Sequence, residues 1–128
     1  MSDFLQSIAV SSSGMRAQST RLRHVAENIA NVDTPGYHRK LVAFEAARGD
    51  GATLVKTGPV RLDQSELKLV HDPSHPLADS SGNYEGSNVN LTIEIADSRE
   101  AQRGYEANLK MFDQARKMSG ALLDLLKR

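Results

Sequence analysis

Four histidines are the side chains of this sequence best suited to proton or metal chemistry near neutral pH. Two of them lie four apart in His71-Asp72-Pro73-Ser74-His75. That spacing offers two ligands to one metal only on a regular helical turn, and Pro73 forbids such a turn. The sequence has no cysteine to complete a zinc set. The pair therefore reads as solvated loop histidines, and His24 reads as part of an interface or a surface. Gly49-Asp50-Gly51 lacks the lysine and the strand-to-helix setting of a phosphate cradle. No serine stands in a nucleophile-elbow pattern. Asp97, Glu100 and Glu106 lie at helical spacing from Arg99, Arg103 and Lys110, the pattern of solvated ion pairs. No catalytic constellation emerges, and with it no cofactor, no metal and no small-molecule substrate. The chain reads as a non-enzyme.

The elements around these residues are more informative. Ile8, Met15, Leu22 and Ile29 recur at intervals of seven, flanked by Leu5, Val25 and Ala26. Ala101, Tyr105, Asn108, Phe112, Ala115, Leu122 and Leu126 fall on one face of a second stretch. Apolar residues at three-and-four spacing make a seam along one side of a helix, and a seven-residue recurrence suits helices that run beside others. The first helix extends from about Ser2 to Asn31. Its Ser11-Ser12-Ser13-Gly14 run consists of weak helix formers, so a bend or break near Gly14 is expected. The second helix runs from about Asn90 to Leu126, roughly 55 Å at 1.5 Å per residue. Asn88 or Asn90 can cap it. Gly104 and Gly120 mark local weakness or the close approach of a neighbour. Asn108 faces the seam, where a polar residue can fix register.

Between the helices, Thr34-Pro35-Gly36-Tyr37 has Pro and Gly at the central positions of a type II turn. Tyr37–Phe44, Ala52–Lys56, Val60–Leu62 and Leu67–Val70 carry strand signals separated by turn residues. A small antiparallel sheet or a pair of hairpins is expected, and Asp72–Asn88 reads as loop. The fold class is α+β, predominantly α: two long terminal helices packed as an antiparallel, coiled-coil-like pair, with a small β-hairpin and loop segment inserted. Residues 1–31 and 89–128 make the helical part, and residues 32–88 the middle segment.

Composition narrows the function. The 128 residues carry 16 basic and 16 acidic side chains. That balance argues against a nucleic-acid footprint or a polybasic membrane patch. No stretch approaches the ~20 apolar residues that span a bilayer. Met1–Val10 does not have the pattern of a cleaved secretory signal, having Asp3 where positive charge belongs.

Two segments point to a family. The A-N-x-x-T-x-G-Y turn at Ala30, Asn31, Thr34, Gly36 and Tyr37, with Pro35 inside it, resembles the N-terminal signature of the rod and hook axial proteins of the bacterial flagellum. Leu69–Asp79, Gly82, Asn88-Val89, Glu94 and Ala101–Asn108, with Arg103, Tyr105 and Ala107 among them, resemble the proximal rod branch of that superfamily. The likeness covers nearly the whole chain and is weakest over Ala46–Leu62. Ser87 stands where this branch usually has proline before Asn-Val, so a looser start to the long helix is expected. The compact Pro35-Gly36-Tyr37 turn also occurs in a sister family, and the C-terminal half decides between the two.

The resemblance implies a structural subunit of the rod that crosses the periplasm and carries motor torque for motility. It implies export by the flagellar secretion apparatus without a cleaved signal peptide. It implies an inner layer of terminal helices with the middle segment outside. Partners would be copies of the chain, other rod proteins, the rod-base adaptor and the membrane ring. Energetics agree. Ordering a residue costs ~1 to 2 kcal/mol, and burying a large apolar side chain returns ~1.5 to 3 kcal/mol. A lone pair of such helices sits near balance, so termini that are mobile in the monomer and become helical on assembly are expected. The alternative from another class is a helical adaptor or secretion chaperone that binds one partner helix. It leaves the turn motif unexplained.

Overall fold

The computed structural model describes residues 2–49 and 51–127. Helix α1 (Ser2–Ala30) is followed by strands β1 (Lys40–Leu41), β2 (Phe44–Gly49), β3 (Ala52–Thr57), β4 (Arg61–Leu62), β5 (Leu69–His71) and β6 (Asn83–Glu85), and then by helix α2 (Leu91–Leu126). The class is α+β and mostly helical, as expected. No helix among the described residues is long and apolar enough to cross a membrane.

The helices pack antiparallel. Asn28 of α1 bonds Glu94 of α2, Gly14 lies against Asn108, and Phe4 shares a groove with Met111. The expected break near Gly14 does not occur, because α1 is continuous through it. Ser11 and Ser13 return their hydroxyls to the carbonyls of Ser7 and Val10 at 2.7 Å. Both serines are buried together with Gly14 and Ala17. The run of weak helix formers is thus the close-contact face of α1. Tertiary packing offsets its poor propensity.

Three antiparallel two-stranded ladders make up the middle segment: β1 with β4, β2 with β3, and β5 with β6. The β2–β3 hairpin runs from Phe44↔Thr57 to Gly49↔Ala52. Asp50 lies outside the described residues. Ser13 Oγ accepts from the Val55 N–H at 3.1 Å, which ties this hairpin to α1. Strand β6 lies inside the stretch read as loop, so that reading is corrected. Its three residues are too few for a period-two pattern, and pairing with β5 organises them.

Asn90 caps α2, its side chain accepting from the Thr92 N–H at 3.0 Å. The start of α2 is not loose. Ser87 is buried, and its hydroxyl donates to the Val32 carbonyl while accepting from the Val89 N–H at 3.3 Å. One side chain therefore joins the end of α1 to the approach to α2.

Candidate functional site

The expected seam residues are distributed unevenly. Ile8, Met15, Leu22 and Ile29 are half-buried, Val25 is buried and Leu5 is exposed. On α2, Ala101 and Ala115 are buried, and Asn108, Phe112 and Leu122 are half-buried. Tyr105 is 37% exposed and Leu126 71% exposed. On α1 the contacts with α2 are made instead by Gly14, Gln18 and Asn28, against Asn108, Gly104 and Glu94. That face is rotated from the heptad stripe by roughly 60 to 100°, since Gly14 and Asn28 stand one residue before Met15 and Ile29 and Gln18 three after Met15. The helix pair therefore buries small and polar residues. Ile93, Ile95, Leu109, Met111, Met118 and Leu125 remain exposed along α2.

The pair's register is fixed by a reciprocal arrangement. Each helix carries glycine followed four residues later by an amide: Gly14 and Gln18 on α1, Gly104 and Asn108 on α2. A Cβ on Gly14 would stand 2.6 Å from Asn108 Oδ1, and one on Gly104 would stand 2.5 Å from Gln18 Nε2. Each amide thus fills the notch left by the other helix's glycine. Asn108 Nδ2 also donates to the Gly104 carbonyl at 2.8 Å, while Gln18 Oε1 is buried without a partner.

At the other end of the pair the two helices and the middle segment meet in a polar junction. Glu94 is wholly buried and Asn28 is 1% exposed. Arg39 Nε donates to Glu94 Oε1 at 2.6 Å, and its other nitrogens lie 3.3 Å from Asp97 and 3.6 Å from Asp63. Burial alone would depress the Arg39 guanidinium. The hydrogen bond to Glu94 and the charges of Glu94, Asp97 and Asp63 together outweigh it and raise it. Asn28 makes all its bonds. Its Nδ2 donates to the Lys40 carbonyl at 3.0 Å and to Glu94 Oε2 at 3.3 Å. Its Oδ1 accepts from the Lys40 N–H and the Tyr37 hydroxyl, both at 2.8 Å. Burial pushes that phenol above its ordinary value, so it stays a donor. Asn88 accepts from the Arg39 N–H at 2.7 Å and donates to the Asp63 carbonyl at 2.9 Å.

The turn between α1 and this junction has the expected type II geometry: the Tyr37 N–H bonds the Thr34 carbonyl at 3.2 Å, and Gly36 has φ of 75°. Asn31 accepts from the Thr34 hydroxyl at 3.1 Å and donates to the Glu27 carbonyl at 2.8 Å. Pro35 is half-buried and Ala30 exposed. The Gly36 N–H reaches the Gly86 carbonyl at 3.0 Å, so the turn also holds the segment before α2.

Residues 8–38 match the family described as flagella basal body rod protein. Residues 80–125 match the flagellar basal body rod FlgEFG protein C-terminal family. The flagellar basal-body rod protein FlgC of Agrobacterium fabrum is 43% identical over 127 residues, covering 92% of this chain and 91% of its own length. That of Salmonella typhimurium is 34% identical over 117 residues, covering 85% and 87%. That of Borreliella burgdorferi is 32% identical over 149 residues, covering 94% and 96%. The chain belongs to the FlgC family of flagellar basal-body rod proteins.

In this FlgC-family chain the two matched segments meet at the junction. Asn28 and Tyr37 come from the first, Asn88, Glu94 and Asp97 from the second. Arg39, which joins them, falls between the matches. Sequence reasoning did not single out Arg39 or Asp63, and it placed Asp97 on a solvated face. The available signal was a lone arginine two residues after the turn motif. The other motif residues lie elsewhere: Val89 is half-buried, while Arg103 and Ala107 are exposed on α2.

Proposed function

We propose that this chain is a structural subunit of the proximal flagellar rod and polymerises through α1 and α2. The two helices form the inner layer of the rod, and residues 32–88 stand outside it. Its neighbours are copies of itself, other rod proteins, the rod-base adaptor and the membrane ring. The subunit reaches the periplasm through the flagellar export apparatus without a cleaved signal peptide and transmits torque once assembled. It catalyses nothing.

One observation carries this reading. The helix pair meets through Gly14, Asn28, Gly104 and Asn108 and leaves Ile93, Ile95, Leu109, Met111, Met118 and Leu125 exposed along α2. Exposed apolar stripes of that extent mark association surfaces. The junction supports torque transfer, because it fixes the middle segment to both helices through buried charge-assisted bonds. The adaptor reading finds no support in the relatives, which are named as rod proteins.

Ile95→Asp with Leu109→Asp tests it. Both positions are exposed, so the purified subunit should keep its fold within about 1 kcal/mol. Cells relying on this variant should be non-motile and lack rods. Normal motility would overturn assembly through this edge.

A further inference from the structure

We infer that the outer edge of β2 is a docking edge for the same strand of a second copy, which joins two β2–β3 hairpins into one four-stranded antiparallel sheet. The inference does not depend on the assembly reading above. Among the described residues β2 pairs with β3 alone. The Gly58 N–H bonds the Ala43 carbonyl at 2.8 Å, and the Val55 N–H turns away from β2 to Ser13 Oγ. These two bonds fix which way the backbone points. Glu45 and Ala47 direct their N–H and carbonyl groups toward β3, whereas Phe44, Ala46 and Arg48 direct theirs outward. The far side of β3 is taken by α1, so the free edge belongs to β2. Phe44, Ala46 and Arg48 are exposed, and neither proline nor lysine blunts the strand.

The sequence of β2 selects its partner. Two antiparallel copies can pair only where outward-pointing residues face one another. With Ala46 opposite the partner's Ala46, Phe44 stands opposite the partner's Arg48, and every outward residue of both strands is paired. A guanidinium then lies across from an aromatic ring on each side of the two-fold axis, and such pairs attract. Small alanines meet at the centre. Each Glu45 faces an alanine and keeps Lys56 of its own β3 at 3.9 Å. Shifting the register one way sets Glu45 against Glu45. Shifting it the other way carries Phe44 past the partner's Arg48. An isolated two-stranded ladder is marginal in water, and the wider sheet removes that weakness. A two-fold contact closes on itself, so it cannot propagate a helical array. The sheet dimer therefore belongs to the free subunit, where it occupies an edge that would otherwise template open-ended strand pairing.

The test is sedimentation equilibrium of the purified full chain from low micromolar to near-millimolar concentration. The natural chain should show a reversible monomer–dimer equilibrium, and the Ile95→Asp, Leu109→Asp variant should keep it, because α2 takes no part. Ala46→Pro removes an N–H that the β2–β3 hairpin does not use and should weaken the dimer by about tenfold or more. Ala46→Lys leaves the backbone intact, sets two ammonium groups together at the axis and should weaken it several-fold. The chain has no cysteine, so Ala46→Cys reports the register. Under oxidised glutathione it should form a disulfide dimer several-fold faster than Glu45→Cys, whose counterpart lies diagonally across the ladder. A chain that stays monomeric at the highest concentration would overturn the inference. So would a dimer as tight in Ala46→Lys as in the natural chain, a dimer lost in the α2 variant, or equal crosslinking at the two cysteines.

Discussion

Glu94 has no exposed surface, and its charge is balanced by Arg39 at 2.6 Å and by the Asn28 amide at 3.3 Å. Removing one partner of a buried pair costs about 3–5 kcal/mol, because the other charge is left uncompensated. Arg39 keeps Asp97 and Asp63, so Glu94→Leu should cost about 3 kcal/mol in urea unfolding. Adding Arg39→Met should recover most of that loss. A double-mutant cycle in which the two changes simply add would show that the pair does not hold the junction. Acid acts on two carboxylates beside the junction, Glu27 and Asp63. The hydrogen bond from Lys40 holds the Glu27 carboxyl below its ordinary 4.5, against an opposing desolvation. The Ser65 N–H, then the Arg39 charge, hold Asp63 below its ordinary 3.8. A carboxyl lowered in the folded state stabilises fully above the unfolded value and loses that contribution as pH falls through the folded one. The urea midpoint should therefore stay level from neutrality down to the ordinary carboxylate range and fall below it. Asp63→Asn should flatten the fall, whereas a decline that begins near neutrality would point to a histidine.

Individual helices show what a sequence pattern can and cannot reveal. The extent of α2 was legible, because a long run with helical periodicity leaves few alternatives, whereas its cap was narrowed only to Asn88 or Asn90 and proves to be Asn90. The type II turn was legible for a similar reason, since Pro followed by Gly at the central positions fits few other backbones. The inner face of α1 was not. A heptad of large residues dominates the pattern, yet the partner helix approaches over Gly14, where the missing Cβ leaves room for Asn108. Propensity predicted a break at Gly14, and packing against Asn108 overrode it. The junction was half legible: Tyr37, Asn88 and Glu94 stood in motifs, but the arginine that joins them is visible only in three dimensions. The glycines provide a test. Among the described residues nothing lies within 4 Å of a Cβ added at Gly120, so Gly120→Ala should stabilise by about 0.5–1 kcal/mol through helix propensity. Gly14→Ala meets three Asn108 atoms within 2.8 Å and should destabilise by about 1–3 kcal/mol through overpacking. Thermal unfolding of both variants should shift in opposite directions. A Gly14→Ala gain as large as the Gly120→Ala gain would mean that the amide does not occupy the notch.

For the whole molecule, the decisive quantity is the difference in length between the helices. Helix α2 has 36 residues and α1 has 29, a difference of 7 residues or roughly 10 Å. The Asn28–Glu94 contact aligns the two helices near the junction, so the excess lies at the far end. There Leu123, Leu125 and Leu126 are exposed, and a Cβ added at Gly120 would meet nothing within 4 Å among the described residues. Among the described residues this tail is mostly exposed, with Leu122 alone half-buried, and helices that lack packing are marginal in water. In the free subunit its amides should exchange within a few-fold of unstructured rates, whereas amides near Asn28 and Glu94 should be strongly protected. Assembly should extend protection to the tail, because neighbours then cover the leucines. Removing residues 120–128 should leave junction protection and the main unfolding transition nearly unchanged yet abolish rod formation. A tail already protected in the dilute monomer, or a truncated chain that still builds rods, would show that the overhang is not where neighbouring molecules complete each other.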